Sequence, residues 1–267
     1  MKYILLVTIY NSRIEQSTTI MSFIKHCSQY YVDTLLYIWD NSTNEIDQNL
    51  DVIPLTVNYK YHKSSYNTPL SKVYNTVLKS HTSYSFLLNF DQDSLITPDY
   101  FIEIEDFISK KGEAKIAIPQ IWHNSICISP GKKGFWKNHY LKKIDIGIVE
   151  TNKMLFITSG VIIDISAIVT NCIFYDENLS LYGVDLKFSI DYSRCFSHIY
   201  VLNYKLQHDL SAYDTTESKC VKLHRLKNNL HSDIYICSRE KFSIIREVYI
   251  RLRYLYHYLI ITFRYNN

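Results

Sequence analysis

Residues 3–9, YILLVTI, form an apolar, largely β-branched run with no charged break. That is the pattern of a strand buried on both faces of a parallel sheet, not one that alternates with solvent. A chain opening this way must place helices on both sides of the sheet, and the following residues supply them. Asn11 and Ser12 offer caps for a helix through about Ser28, with Ile14, Ile20, Phe23, Ile24 and Cys27 for one side. Strands are expected at Thr34–Trp39, Leu55–Tyr59, Ser85–Phe90 and Ile116–Pro119. Helices are expected at Pro69–Ser80 and from Pro98 onward, where a proline suits the first turn. Strand and helix alternating over 120 residues predict an α/β domain with a mostly parallel sheet.

Later segments continue the pattern less regularly. Trp122–Asn152 holds three of the six glycines and reads as an excursion over the sheet. A strand at Leu155–Ile163, a helix at Val184–Phe196 and a strand at Ile199–Leu206 follow. No repeat or low-complexity linker interrupts the chain. The economical division is one α/β domain over residues 1–215 and a helical tail over 216–267.

In such sheets ligands bind at the carboxyl ends of the strands. Three expected strands close in polar residues: Thr8 and Asn11, Asp40 and Asn41, Asp91 and Asp93. All three groups should gather on one edge. Six glycines in 267 residues, about a third of the usual ~7%, cannot be arranged as GxGxxG or GxxxxGK[ST]. A glycine-cradled phosphate loop is therefore excluded. The alternative is Asp91-Gln92-Asp93 at the end of the uncharged LLNF strand. Carboxylates one residue apart can hold a hard divalent cation, Mg²⁺ or Mn²⁺, that bridges a diphosphate; the same triplet is also common in ordinary surface turns.

The formal charge of +3 is too small to argue for nucleic-acid binding. From Lys222 onward, however, nine Lys/Arg face three acids, about +6. Phe242, Ile245, Tyr249, Leu252, Tyr256 and Leu259 recur at helical spacing there, with Arg239, Arg246 and Arg253 along the edge of that stripe. Such a helix could lie on an anionic bilayer surface, pack on the domain, or form an oligomer interface. Six scattered cysteines without a CxxC pair suit reduced thiols in a cytoplasmic protein. MKYILLVTIYN lacks a small-residue cleavage site and reads as a strand, not a signal peptide. No run reaches the ~18 apolar residues of a membrane span.

Taken in order, the motifs resemble the glycosyltransferase family 2 enzymes of the GT-A fold, closest to the rhamnosyltransferase-like branch. Val7-Thr8-Ile9-Tyr10-Asn11 is similar to the opening strand and turn, and Trp39-Asp40-Asn41-Ser42 to the V-D-N-S segment. Asn67, Leu70 and Asn75 have the spacing of N-x-G-[IL]-A-x-A-x-N. Phe90-Asp91-Gln92-Asp93-Ser94 resembles D-Q-D-S, and Thr158-Ser159-Gly160 the small-residue segment beside the acceptor. Asp176-Glu177-Asn178-Leu179 with Val184-Asp185 resembles F-D-E-x-L-F-I-D-x-V-D, and His208-Asp209-Leu210-Ser211 a late H-x-x-G segment. Pro69 and Ser211 stand where the family has glycine, and no acid precedes Asp185 directly. Q-x-x-R-W, the motif of processive synthases, is missing, which favours single additions.

The resemblance implies a GT-A type, Rossmann-like sheet and an inverting, metal-dependent transfer of one sugar from a nucleotide-sugar, dTDP-rhamnose or a UDP-hexose. The acceptor it implies is a hydroxyl of a lipid-linked oligosaccharide in O-antigen or capsule synthesis, at the cytoplasmic face of the inner membrane. Asp185 would be the general base, although an acid in a first helical turn also suits the macrodipole. Asp40 would meet the base, Asp93 would be the first metal ligand, Asp91 a ligand or ribose contact, and His208 a third ligand. Thr8, Tyr10, Asn11, Asn41, Asn67, Asn75, Gln92, Ser159 and Gly160 complete the implied substrate site. An idle nucleotide- or sugar-binding module and a nucleotidyltransferase are the rival readings.

Overall fold

The computed structural model describes residues 1–123, 126–141, 143–207, 218–239 and 242–264. Its first half holds strands β1 (Tyr3–Ile9), β2 (Thr34–Asp40), β3 (Tyr59–Lys63), β4 (Phe86–Asp91) and β5 (Ile116–His123), with helices α1 (Thr18–His26), α2 (Leu70–Ser80) and α3 (Pro98–Lys110). Then come β6 (Ile126–Ser129), β7 (Gly131–Lys132), β8 (His139–Tyr140), β9 (Gly147–Glu150), β10 (Met154–Leu155), β11 (Val161–Asp164), α4 (Ile165–Thr170), α5 (Val184–Cys195) and β12 (His198–Gln207). Helices α6 (Lys219–Cys237) and α7 (Ser243–Arg264) close the chain.

The main sheet has nine strands in the order β3-β2-β1-β4-β11-β5-β12-β9, with β6 on β5. Strands β3, β2, β1, β4, β5 and β12 point one way; β11, β9 and β6 are reversed. A second sheet, β10-β7-β8, carries the excursion. Every residue of β1 is buried. Leu5, Val7 and Ile9 pack with Phe23 of α1 and Phe101, Ile104 and Phe107 of α3. Ile4 and Leu6 face Val73 and Val77 of α2 and Phe188 of α5. One seven-residue strand thus nucleates a core on each side, as its unbroken apolar pattern requires.

Three expectations shift. The helix expected over 12–28 divides into a 3₁₀ turn at Ile14–Gln16 and α1, because the Ser17 hydroxyl accepts from the Ile20 N–H at 3.2 Å and caps α1 there. The third strand lies at Tyr59–Lys63 and not at Leu55–Tyr59, and Leu55 is fully exposed. Its register brings Tyr61 and Lys63 to buried Asp40, which needs their donors. The strand expected at Leu155–Ile163 breaks into β10 and β11, with Thr158-Ser159-Gly160 crossing between them.

Gly160 has φ +77°, and a Cβ there would sit 2.8 Å from Pro119 Cγ. Its N–H donates to the Asn89 carbonyl at 2.6 Å, and its carbonyl accepts from the Tyr100 hydroxyl at 3.0 Å. Gly160→Ala combines left-handed strain of roughly 1–2 kcal/mol with that clash. The melting temperature should fall by roughly 4–8 °C, measured by calorimetry. A melting temperature equal to wild type would show that the crossing is not fixed by this backbone.

Candidate active site

The parallel register aligns Thr8 of β1 with Trp39 of β2 and Asp91 of β4. At the carboxyl ends of these strands lies a cleft of about 670 Å³, within the usual range for small-molecule sites. Thr8, Tyr10, Asn41 and Asn67 line one part, and Asp91, Gln92 and Asp93 another. Seven residues inferred from separate motifs thus come together.

Hydroxyl groups hold the Asp91–Ser94 turn. Thr19 of α1 donates from its side chain to the Asp91 carbonyl and from its N–H to the Gln92 carbonyl. Ser17 Oγ donates to the same Gln92 carbonyl at 2.9 Å, and the Ser94 N–H donates to Thr19 Oγ1 at 2.9 Å. From the other side Ser159 Oγ accepts the Asp91 N–H at 3.3 Å and lies 3.2 Å from Ser94 Oγ. The Gln92 side chain turns back to accept the Tyr10 N–H at 2.8 Å, tying β1's exit to β4's. Ser159 therefore supports the turn, while Gly160 bonds Asn89 of β4; neither lines the cleft.

Asp40 is fully buried and acts on the cleft through its neighbours. Its carboxylate accepts from the Ser42 N–H at 2.9 Å, the Tyr61 hydroxyl at 2.7 Å and Gln48 Nε2 at 3.3 Å, and lies 3.4 Å from Lys63 Nζ. Burial alone would raise its pKa, but these hydrogen bonds and the ammonium hold it below the usual carboxylate value. Asn41, beside it, donates to Asn67 Oδ1 and the Thr68 carbonyl and accepts the Thr68 N–H, each at 2.8 Å. Asn11, at φ 48°, accepts from the Thr43 and Asn44 N–H groups and stays outside the cleft lining. Asn75 is buried in α2, where its amide bonds the Tyr175 carbonyl and N–H and Glu177, all at 2.9 Å. Its role is to dock the 175–177 turn on α2.

Asp185 stands in the first turn of α5, accepts from the Thr158 hydroxyl, and lines a separate cavity of about 280 Å³ with Ser129, Asn138, His139 and Tyr140. Tyr74 and Tyr175 are buried and pack on each other, ring centroids 4.9 Å apart, and neither lines either cavity. Burial raises both hydroxyl pKa values, and negative charge adds to it: Asp91 and Asp185 act on Tyr74, and Asp185 acts on Tyr175. The charge of both acids thus reaches Tyr74.

Pro69 and Leu70 of the Asn67 motif also line the cleft. It contains in addition residues that the motifs did not indicate: Thr68, Ser180, Leu181 and Tyr182, and His224 and Asn228 of α6. Tyr182 was visible only as the neighbour of the Val-Asp pair, and nothing in the local sequence singles out His224 or Asn228. His208 lies outside the described residues. Among the described residues no cluster of three or more His, Cys, Asp or Glu could hold a metal. The donor set of Asp91 and Asp93 still fits Mg²⁺ or Mn²⁺, because such ions commonly bind one or two carboxylates and complete their shell with phosphate and water.

No family model matches the sequence, and no curated protein matches it significantly. Solved structures do. A crystal structure of S. aureus TarS 1–349 matches with TM-score 0.60 at 15% identity, over 99% of this chain and 72% of that one. The complex of TarS 1–349 with UDP-GlcNAc gives 0.60 at 16%, over 99% and 73%. GalNAc-T7 with UDP, GalNAc and Mn²⁺ gives 0.61 at 14%, over 95% of this chain and 54% of that one. What is shared at these identities is the fold: a mixed α/β architecture of the GT-A glycosyltransferase type.

The Asp40 network predicts an acid-sensitive core. Because the folded pKa is depressed, its stabilisation is present above the unfolded value of about 3.9 and is lost as pH falls through the folded value. Asp40→Asn should cost about 1–3 kcal/mol at pH 7 and flatten the loss of stability below about pH 4. Urea melts across pH 3–7 check both; parallel curves for the two proteins would refute the assignment.

Proposed function

We propose that the protein is an inverting, metal-dependent glycosyltransferase that moves one sugar from a nucleotide-sugar to an acceptor hydroxyl. The observation that carries this reading is the convergence of Thr8, Tyr10, Asn41, Asp91, Gln92 and Asp93 on one cleft at the strand ends. Neighbours of the same fold, solved with UDP, UDP-GlcNAc and Mn²⁺, support the donor class and the metal. By resemblance the donor is dTDP-rhamnose or a UDP-hexose. The acceptor is a lipid-linked oligosaccharide of O-antigen or capsule synthesis, met at the cytoplasmic membrane surface.

In this reading the nucleotide-sugar lies along β1 and β4, with its diphosphate at Asp91 and Asp93. A divalent cation held there would neutralise the charge that develops on the departing diphosphate. Asp185 takes the proton of the acceptor hydroxyl, which attacks the anomeric carbon from the side opposite the leaving nucleoside diphosphate. Its separate cavity suits this role, since a base must stand beside the acceptor and not on the cation. The Thr158 hydroxyl orients the carboxylate.

UDP, dTDP, GDP and CMP with and without Mn²⁺ or Mg²⁺ form the first test. A ligand at 100 times its Kd adds about 2.7 kcal/mol, roughly 5–11 °C for a chain near this size. No metal-dependent shift with any nucleotide would sink the reading. Asp93→Asn should abolish the metal-dependent part of the shift. Asp185→Asn should keep the shift and lower turnover by about 10²- to 10⁴-fold. Full turnover in Asp185→Asn would remove it as the base, and loss of nucleotide binding there would mark it as a donor contact.

A further inference from the structure

The C-terminal helices do not dock as the apolar stripe of α7 suggests. Ile250 and Tyr254 turn inward and pack on Leu226, Leu230 and Ile234 of α6. Tyr249 rests on Trp136, with ring centroids 4.9 Å apart. The remainder of the expected face stays outside: Ile245, Leu252, Tyr256 and Leu259 are exposed, Leu252 at 61%. The three arginines spaced by seven are engaged within the protein. Arg239 stacks on Tyr235, Arg246 on Phe135, and Arg253 on Tyr254 while pairing with Asp233 at 2.7 Å. No helix among the described residues is long and apolar enough to cross a membrane.

Between α6 and α7 runs an open groove of about 720 Å³, walled by Leu223, Leu226, Leu230, Tyr254, Leu255 and Tyr258. A half-exposed aliphatic channel of this size is unfavourable in water unless something apolar occupies it. Two further observations name the occupant. His224 lines both this groove and the strand-end cleft, so the groove adjoins the candidate active site at that side chain. Lys227 and Arg251 stand on its wall, Arg251 also bonded to Glu247 at 2.6 Å. The geometry points to a binding site for a single alkyl or prenyl phosphate, its chain in the groove and its phosphate beside Lys227 and His224. The groove would then be where the lipid of the acceptor is held; this part rests on the transferase reading, whereas the chain-binding site does not. A second copy of this chain fits the groove less well, because a two-fold contact on it would bring two walls that both carry Lys227 and Arg251 into one interface.

Cys220 lies in the groove and is exposed, as are Cys172 and Cys195 elsewhere, so the protein carries its own reporters. Octyl, decyl and dodecyl phosphate, kept below their micelle concentrations, should slow modification of Cys220 by a water-soluble maleimide and leave Cys172 and Cys195 unaffected. Half-protecting concentrations should fall roughly fourfold per added methylene while the chain still finds wall to cover. Leu255→Arg should abolish the protection and keep the nucleotide-dependent thermal shift, which separates failure of this site from failure of the transferase reading. The inference is overturned if dodecyl phosphate leaves Cys220 unprotected or slows all three thiols alike. It is also overturned if only phosphatidylglycerol vesicles protect Cys220, which marks a bilayer-contacting face, or if protection grows with protein concentration alone, which marks a self-association interface.

Discussion

The site depends on the hydroxyl pinning of the Asp91–Ser94 turn. A strand that ends in two carboxylates carries mutual repulsion and backbone carbonyls without partners, and either would splay the turn. Here Ser17 and Thr19 satisfy those carbonyls from the start of α1, and Ser159 holds the Asp91 N–H from the β10–β11 crossing. Three segments distant in sequence thus have to be folded before Asp91 and Asp93 face the cleft together. The same bonds explain how a glycine-poor chain builds a tight strand-end turn. Side-chain oxygens do what close backbone approach does elsewhere, at the cost of immobilising short side chains that have little rotamer entropy to lose.

Tyrosine plays the corresponding part in the core. Of the 24 tyrosines, many are buried with the hydroxyl directed at a specific acceptor. Tyr100 bonds the Gly160 carbonyl, Tyr192 the His198 carbonyl and Tyr204 the Leu95 carbonyl. Each couples a large ring to one polar point, so it both fills volume and fixes the path of a loop. Tyr61 on Asp40 and Tyr235 on Asp176 do the same for carboxylates. The tyrosine excess that composition alone leaves unaccounted for is in this part a substitute for backbone turns and ion pairs.

Strands whose apolar pattern is continuous were legible from the sequence, because burial on two faces leaves no alternative placement for YILLVTI or FLLNF. The polar residues ending them were legible for the same reason: a parallel sheet collects its carboxyl ends on one edge. What failed to show was anything decided by partners far along the chain. Nothing local tells that Asp40 will be satisfied by Tyr61 and Lys63, which is why β3 was expected four residues early and Asp40 was assigned to the cleft edge. Nor does helical spacing in α7 reveal which stripe is buried. Apart from Tyr249 its strongest periodic face remains in solvent, and the burial falls on Ile250 and Tyr254, where α6 offers leucines. His224 and Asn228 reach the cleft from α6, which closely approaches the start of α5 at Gly183. A Cβ at Gly183 would lie 2.8 Å from Ser232 Cβ, a contact invisible without the fold.

On the proposed transferase reading, the place of Asp185 outside the strand-end cleft answers a constraint that the strand-end acids would set. A carboxylate that shares a cation with Asp91 and Asp93 has its lone pairs engaged and is a poor proton acceptor. A useful base must therefore be near the reacting centre but outside the reach of that ion. The charge of both acids reaches buried Tyr74, and Asp185 lines the smaller cavity with Asn138, His139 and Tyr140, away from the strand-end cleft. Asn75 clamps the Tyr175 backbone to α2. An asparagine spaced like a substrate contact in the family pattern thus serves here to hold the backbone of a tyrosine that feels the charge of Asp185.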